Sequence, residues 1–77
     1  MDKVIDFIIE SIDKNPNNQS LGEEIRCVKD IVFFLFIETG EPLYEFLFAL
    51  IQLNPNDYEL GMKLRRIKHR IVEYYND

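Results

Sequence analysis

The sequence predicts an all-α fold: a compact four-helix domain made of two tandem antiparallel helical hairpins related by an approximate two-fold. Three observations predict it. Residues 2–38 align with residues 41–77 without a gap at a spacing of 39 residues, the size of period that helical-hairpin repeats show. Apolar residues recur at helical spacing through most of the chain. Proline, glycine and Asn-Pro pairs fall between the apolar stretches, where helices stop. The matched pairs include Phe7 with Phe46, Ile12 with Ile51, Asn15-Pro16-Asn17 with Asn54-Pro55-Asn56, Leu21-Gly22 with Leu60-Gly61, Arg26 with Arg65 and Lys29 with Lys68.

The first helix is expected over Asp2 to Lys14, where Val4, Ile5, Phe7, Ile8, Ile9 and Ile12 form a wide apolar stripe. Pro16 ends it, because the residue before a proline is pushed out of the helical region. The second is expected from Ser20, where Ser20-Leu21-Gly22-Glu23 fits an S-x-x-E capping box, to about Glu38. Gly40 then supplies a helix stop, and Pro42 suits the first turn of the next helix. The third spans Pro42 to Leu53 and is stopped by Asn54-Pro55. Asn56 with Glu59 offers a cap for a fourth helix reaching about Tyr75.

One stretch reads two ways. Ile31 to Ile37 is β-branched and aromatic, which in isolation suits a buried strand. Its repeat counterpart, Arg70 to Asn76, mixes charges into a helical pattern, and two copies of one unit share a structure, so helix is expected. Gly22 and Gly61 both fall in first turns, where glycine costs about 1 kcal/mol relative to alanine; their retention in both halves suggests close approach of two helix backbones. Arg26 and Lys29, like Arg65 and Lys68, share one helix face and are expected to pair with nearby acids. Ala49 to Asp57 resembles the junction between tetratricopeptide repeats over about a dozen residues. The spacing of 39 rather than 34 and the bulky residues in place of small ones make this convergent loop chemistry, and no family is claimed.

Composition narrows the function. Seventy-seven residues form one domain, a size at which one core supplies only about 3–5 kcal/mol and self-association is common. A single cysteine excludes an internal disulfide, and one cysteine with one histidine excludes a structural zinc site. Asp2, Asp6 and Glu10 interrupt any signal-peptide pattern, so a cytoplasmic location is expected. The longest apolar run is seven residues against about 20 for a membrane span. Net charge is −5, with −8 on residues 1–61 and +3 on residues 62–77. This acidic balance makes nucleic acid an unlikely general partner.

The chain from Ile31 to Leu53 carries more apolar surface than one small core hides. Helices that are apolar all round are normally buried on every side. The surplus is either packed centrally or forms a patch for a second copy, another protein or, least in keeping with the flanking glutamates, a membrane surface. Phe34 and Phe48 are the candidate contacts. Asp2, Asp6, Glu10 and Asp13 run along the first helix as a solvated face or an acidic surface for a basic partner. In the fourth helix, Lys63, Arg66 and Arg70 share one face, and Arg65, Lys68 and His69 another. Such cations contact phosphates or complement the acidic body and the helix dipole. His69 is expected to be solvated, and Cys27 to be a buried or half-buried thiol. No catalytic, cofactor-binding or metal-binding motif is present.

The expected function is therefore a small acidic, non-enzymatic protein–protein interaction module without cofactors. It would be an inhibitor or neutraliser of a partner protein, of the toxin-immunity, antitoxin, or phage- or plasmid-encoded inhibitor type. The alternative is a small dimeric nucleic-acid-binding regulator using Lys63, Arg65, Arg66 and Arg70.

Overall fold

In the computed structural model, which describes residues 3–76, five helices follow one another: α1 (Lys3–Lys14), α2 (Asn18–Arg26), α3 (Lys29–Thr39), α4 (Pro42–Leu53) and α5 (Asp57–Asn76). No strand occurs among the described residues. The expected count of four is corrected, because the second expected helix is two. The chain turns at Cys27 and Val28, where the Val28 amide donates to the Ile25 carbonyl at 3.1 Å instead of to a carbonyl four residues back. Both residues stay near helical backbone angles, Cys27 at φ −64 and ψ −23 and Val28 at φ −101 and ψ 10. The turn swings α3 onto α4, where Phe33 and Phe48 stack with ring centroids 4.8 Å apart. An aromatic pair with such offset geometry is worth about 0.5–1.5 kcal/mol beyond its burial, a gain that a straight α2–α3 axis forgoes. The segment Ile31 to Ile37 is helical, as the repeat argues.

Helix starts are set by side chains. Asn17, not Ser20, caps α2: its Oδ1 accepts from the amides of Gln19 and Ser20 at 2.7 and 3.2 Å. Asn56, its repeat counterpart, accepts from the Glu59 amide at 3.0 Å and caps α5. A capping asparagine is worth about 1 kcal/mol. Pro42 opens α4, where its missing N–H would have had no helical partner. Gly40, at φ 67, closes α3 in the left-handed region and donates to Phe36 O at 2.7 Å.

The core is duplicated. Ile5, Ile8, Ile12, Leu21, Ile25 and Val32 are buried, and so are Tyr44, Leu47, Ile51, Leu60, Leu64 and Ile71, each 39 residues on. Leu43 completes the cluster. The most extensive helix contact is between α2 and α5, and the two repeat glycines make it possible. A Cβ on Gly22 would lie 1.9 Å from the Asp57 carbonyl oxygen, and one on Gly61 would lie 2.1 Å from that of Asn18. Those distances leave no room for any side chain. The radius of gyration, 11.4 Å, equals what about 2.2·N^0.38 Å gives for a folded domain of this length.

Candidate functional site

Three surfaces follow from this packing: an apolar ridge on α3, a groove between α4 and α5, and the charged faces of α1 and α5.

α3 buries Val32 alone among its residues and leaves Ile31, Phe33, Phe34 and Ile37 exposed, Phe34 at 59% and Ile37 at 64%. Phe33 is occupied in part by its stacking on Phe48, over which the Lys29 ammonium also sits, 5.6 Å from the ring centroid. Ile31, Phe34 and Ile37 form the outward ridge, flanked by exposed Asp30 and Glu38. Phe34 thus lies at the surface, whereas Phe48 is half-buried against the core and supports α3 from beneath.

A groove of about 320 Å³ runs between α4 and α5, its apolar lining including Phe46, Ile67 and Tyr74 and its rim holding Arg70. The Tyr74 hydroxyl donates to Glu41 Oε2 at 3.0 Å, and that bond raises the phenol's pKa above its ordinary value.

The cations of α5 divide by face. Arg65 is structural: Nε donates to Asn18 Oδ1 at 2.6 Å, Nη1 to Ile12 O at 2.8 Å, and Nη2 to Asn15 O. Arg26 makes the corresponding set 39 residues on, to Asp57 Oδ1 at 2.6 Å, Ile51 O at 3.2 Å and Asn54 O at 2.6 Å. Each arginine therefore closes the end of the other half's first helix, where unpaired carbonyls and the dipole favour a cation. Arg65 leaves the candidate phosphate-binding set for that reason. Lys68 pairs with Asp13, and Lys63 donates to Asn54 Oδ1 at 2.6 Å. Arg66 and Arg70 are exposed and, among the described residues, make no hydrogen bond or ion pair.

The acidic face of α1 is partly spent. Asp13 pairs with Lys68, and Glu10 with Lys14, whose pKa the Glu10 contact raises. Asp6 is exposed, and Asp2 lies outside the described residues. A second acidic centre, Glu24, escaped the sequence reading. Its carboxylate accepts from Asn15 Nδ2 at 2.9 Å and from the buried Ser11 hydroxyl at 2.7 Å, and these bonds, Asn15 first, hold its pKa below the usual carboxylate value. The repeat carried the signal: Glu24 and Lys63 occupy the same position beside Asn15 and Asn54, with opposite charge.

Two expectations for single residues separate here. His69 is exposed, as read. Cys27 is also exposed, which corrects the expectation of a buried thiol; it sits at the α2–α3 turn rather than on a helix flank. Among the described residues no cluster of histidine, cysteine and acids could hold a metal ion, and no helix is long and apolar enough to cross a membrane.

Comparison with family models, with curated proteins and with solved structures finds no match to this chain.

Proposed function

We propose that this protein is a small acidic, non-enzymatic protein–protein interaction module. It acts as an inhibitor or neutraliser of a partner protein, of the toxin-immunity, antitoxin, or phage- or plasmid-encoded inhibitor type, in the cytoplasm. The observation that carries the reading is the α3 ridge. Burying an exposed Phe or Ile is worth about 1.5–3 kcal/mol, and a contiguous apolar patch rimmed by charge marks a contact surface. The net charge of −5 and exposed Asp6 fit a basic partner. The same reading treats α1 with α2–α3, and α4 with α5, as two hairpins related by a pseudo-two-fold; the reciprocal bonds of Arg26 and Arg65 support it.

The test is capture by tagged protein from the native cell, with Phe34→Glu as control. A protein retained by wild type and lost with Phe34→Glu is the expected result. Equal retention by both removes α3 from the function.

A second reading is favoured by the unpaired Arg66 and Arg70, which lie with Lys63 on one exposed face: a nucleic-acid-binding regulator. Three phosphate contacts would make log affinity fall with log salt at a slope of about −2.7. Anisotropy with a labelled duplex measures it, and no binding at about 50 mM salt ends this reading.

A further inference from the structure

The repeat supplies an internal control for the α3 ridge. Ile31, Phe34 and Ile37 align with Arg70, Glu73 and Asn76 of α5. Arg70 and Glu73 are exposed, so in the second half this helix face is solvated and polar. A fold of this kind therefore does not require apolar residues there. The ridge stands outside the core in one half, and its counterpart stands outside the core in the other. Its apolar character is explained by contact rather than by folding.

A surface complementary to it lies on the same molecule. The ridge is apolar with an acid at each end, Asp30 and Glu38. The α4–α5 groove is apolar with Arg70 at its rim, and Arg66 lies one turn earlier on the same helix face. Both arginines are without a partner among the described residues. Acid-flanked ridge and arginine-flanked groove match in chemistry and in sign.

We propose that α3 of one copy seats in the α4–α5 groove of a second copy, and the second copy's α3 in the groove of the first, closing a two-fold dimer. The inference rests on the reading of α3 as a contact surface and names its occupant; the α1 face stays open to a further partner. Area argues for reciprocity. Half the lateral surface of an 11-residue helix is roughly 300 Å², well under the roughly 800 Å² per partner of a standard interface. Giving both a ridge and a groove brings each copy to roughly 600 Å², which suits a reversible dimer rather than a permanent one.

The experiment is sedimentation equilibrium of the full chain from about 5 to 500 µM, a range centred on the weak affinities such areas support, with far-UV circular dichroism confirming that each variant is helical. The wild-type mass is expected to rise from 9.2 kDa toward twice that value. Asp30→Lys/Glu38→Lys and Arg66→Glu/Arg70→Glu are each expected to be monomeric, because like charges then meet in both contacts. Their equimolar mixture is expected to dimerise again, since each ridge then faces a groove of opposite sign. Should one charge variant fail to fold, Phe34→Ser and Phe46→Ser, one on each surface, replace the pair, and each is expected to weaken the dimer at least tenfold. A wild type that stays monomeric overturns the proposal, and if Phe34-dependent capture of another protein persists, the interaction-module reading stands without it. A dimer indifferent to the groove substitutions, or a mass growing beyond two copies, overturns it equally.

Discussion

At the scale of single residues, the two halves are joined by a few side chains with no slack. Gly22 and Gly61 meet opposing carbonyl oxygens so closely that Gly22→Ala or Gly61→Ala must part α2 from α5. Overpacking of this kind costs about 1–3 kcal/mol, and urea unfolding of each variant is expected to show at least that loss. Arg65 and Arg66 are neighbours with different duties. Arg65→Ala removes three hydrogen bonds from a charged donor and is expected to cost about 2–4 kcal/mol, whereas Arg66→Ala is expected to stay within about 0.5 kcal/mol of wild type. Glu24 ties stability to acid. Its folded pKa is depressed, so its contribution is present above the unfolded value and is lost as pH falls through the folded one. Between about pH 5 and about pH 3, wild type is therefore expected to lose more stability than Glu24→Gln, measured by urea midpoints across that range.

At the scale of elements, α3 is the weak member. It buries one side chain, its first residue has no side-chain cap, and it leans on α4 largely through Phe33 and Phe48. α2, by contrast, buries Leu21, Gly22 and Ile25 against α5 and is capped by Asn17. Opening free energies follow buried contacts. Amide hydrogen exchange is expected to be at least tenfold faster through α3 than through α2 and the first half of α5. Equal protection would mean that α3 is held by something beyond the contacts described. The turn at Cys27–Val28 belongs to this scale as well. α2–α3 and α5 align residue for residue, yet α5 runs unbroken over 20 residues. Nothing in the aligned sequence forces the break. The gain from laying α3 on α4 offsets the few helical hydrogen bonds lost at Val28.

At the scale of the whole molecule, six buried positions repeat in each half, so truncation at Gly40 would leave each half with an uncovered apolar face. Such a half is expected to be largely unfolded by circular dichroism, because below about 40 residues a lone core is rarely enough. The exposed surface, 4907 Å², is what about 6.3·M^0.73 gives for a folded monomer of this mass. The surplus of apolar sequence is thus not a deficit of compactness. It is a matter of which side chains were left outside, and that places α3 at the centre of both the proposed partner contact and the proposed dimer.

The amino-acid sequence by itself determined the helical class, the bounds of α1, α4 and α5 to within a residue or two, and the pairing of the two halves. These rest on local signals, namely periodicity, Asn-Pro stops, Gly40 with Pro42, and a repeat readable without coordinates. It also marked Gly22 and Gly61, since glycine kept twice in a helix start implies a close neighbour. The repeat placed Asn17 opposite Asn56 and so held the true cap of α2, which the Ser20 box obscured. Only the tertiary structure decided that α2 and α3 part at Cys27, that Arg65 turns inward while Arg66 and Arg70 stay free, and that Phe34 rather than Phe48 faces solvent. Each of these depends on which helix lies alongside. A helix that is apolar all round carries no internal record of its buried side, and an arginine's partner 50 residues away leaves no mark on the spacing around it.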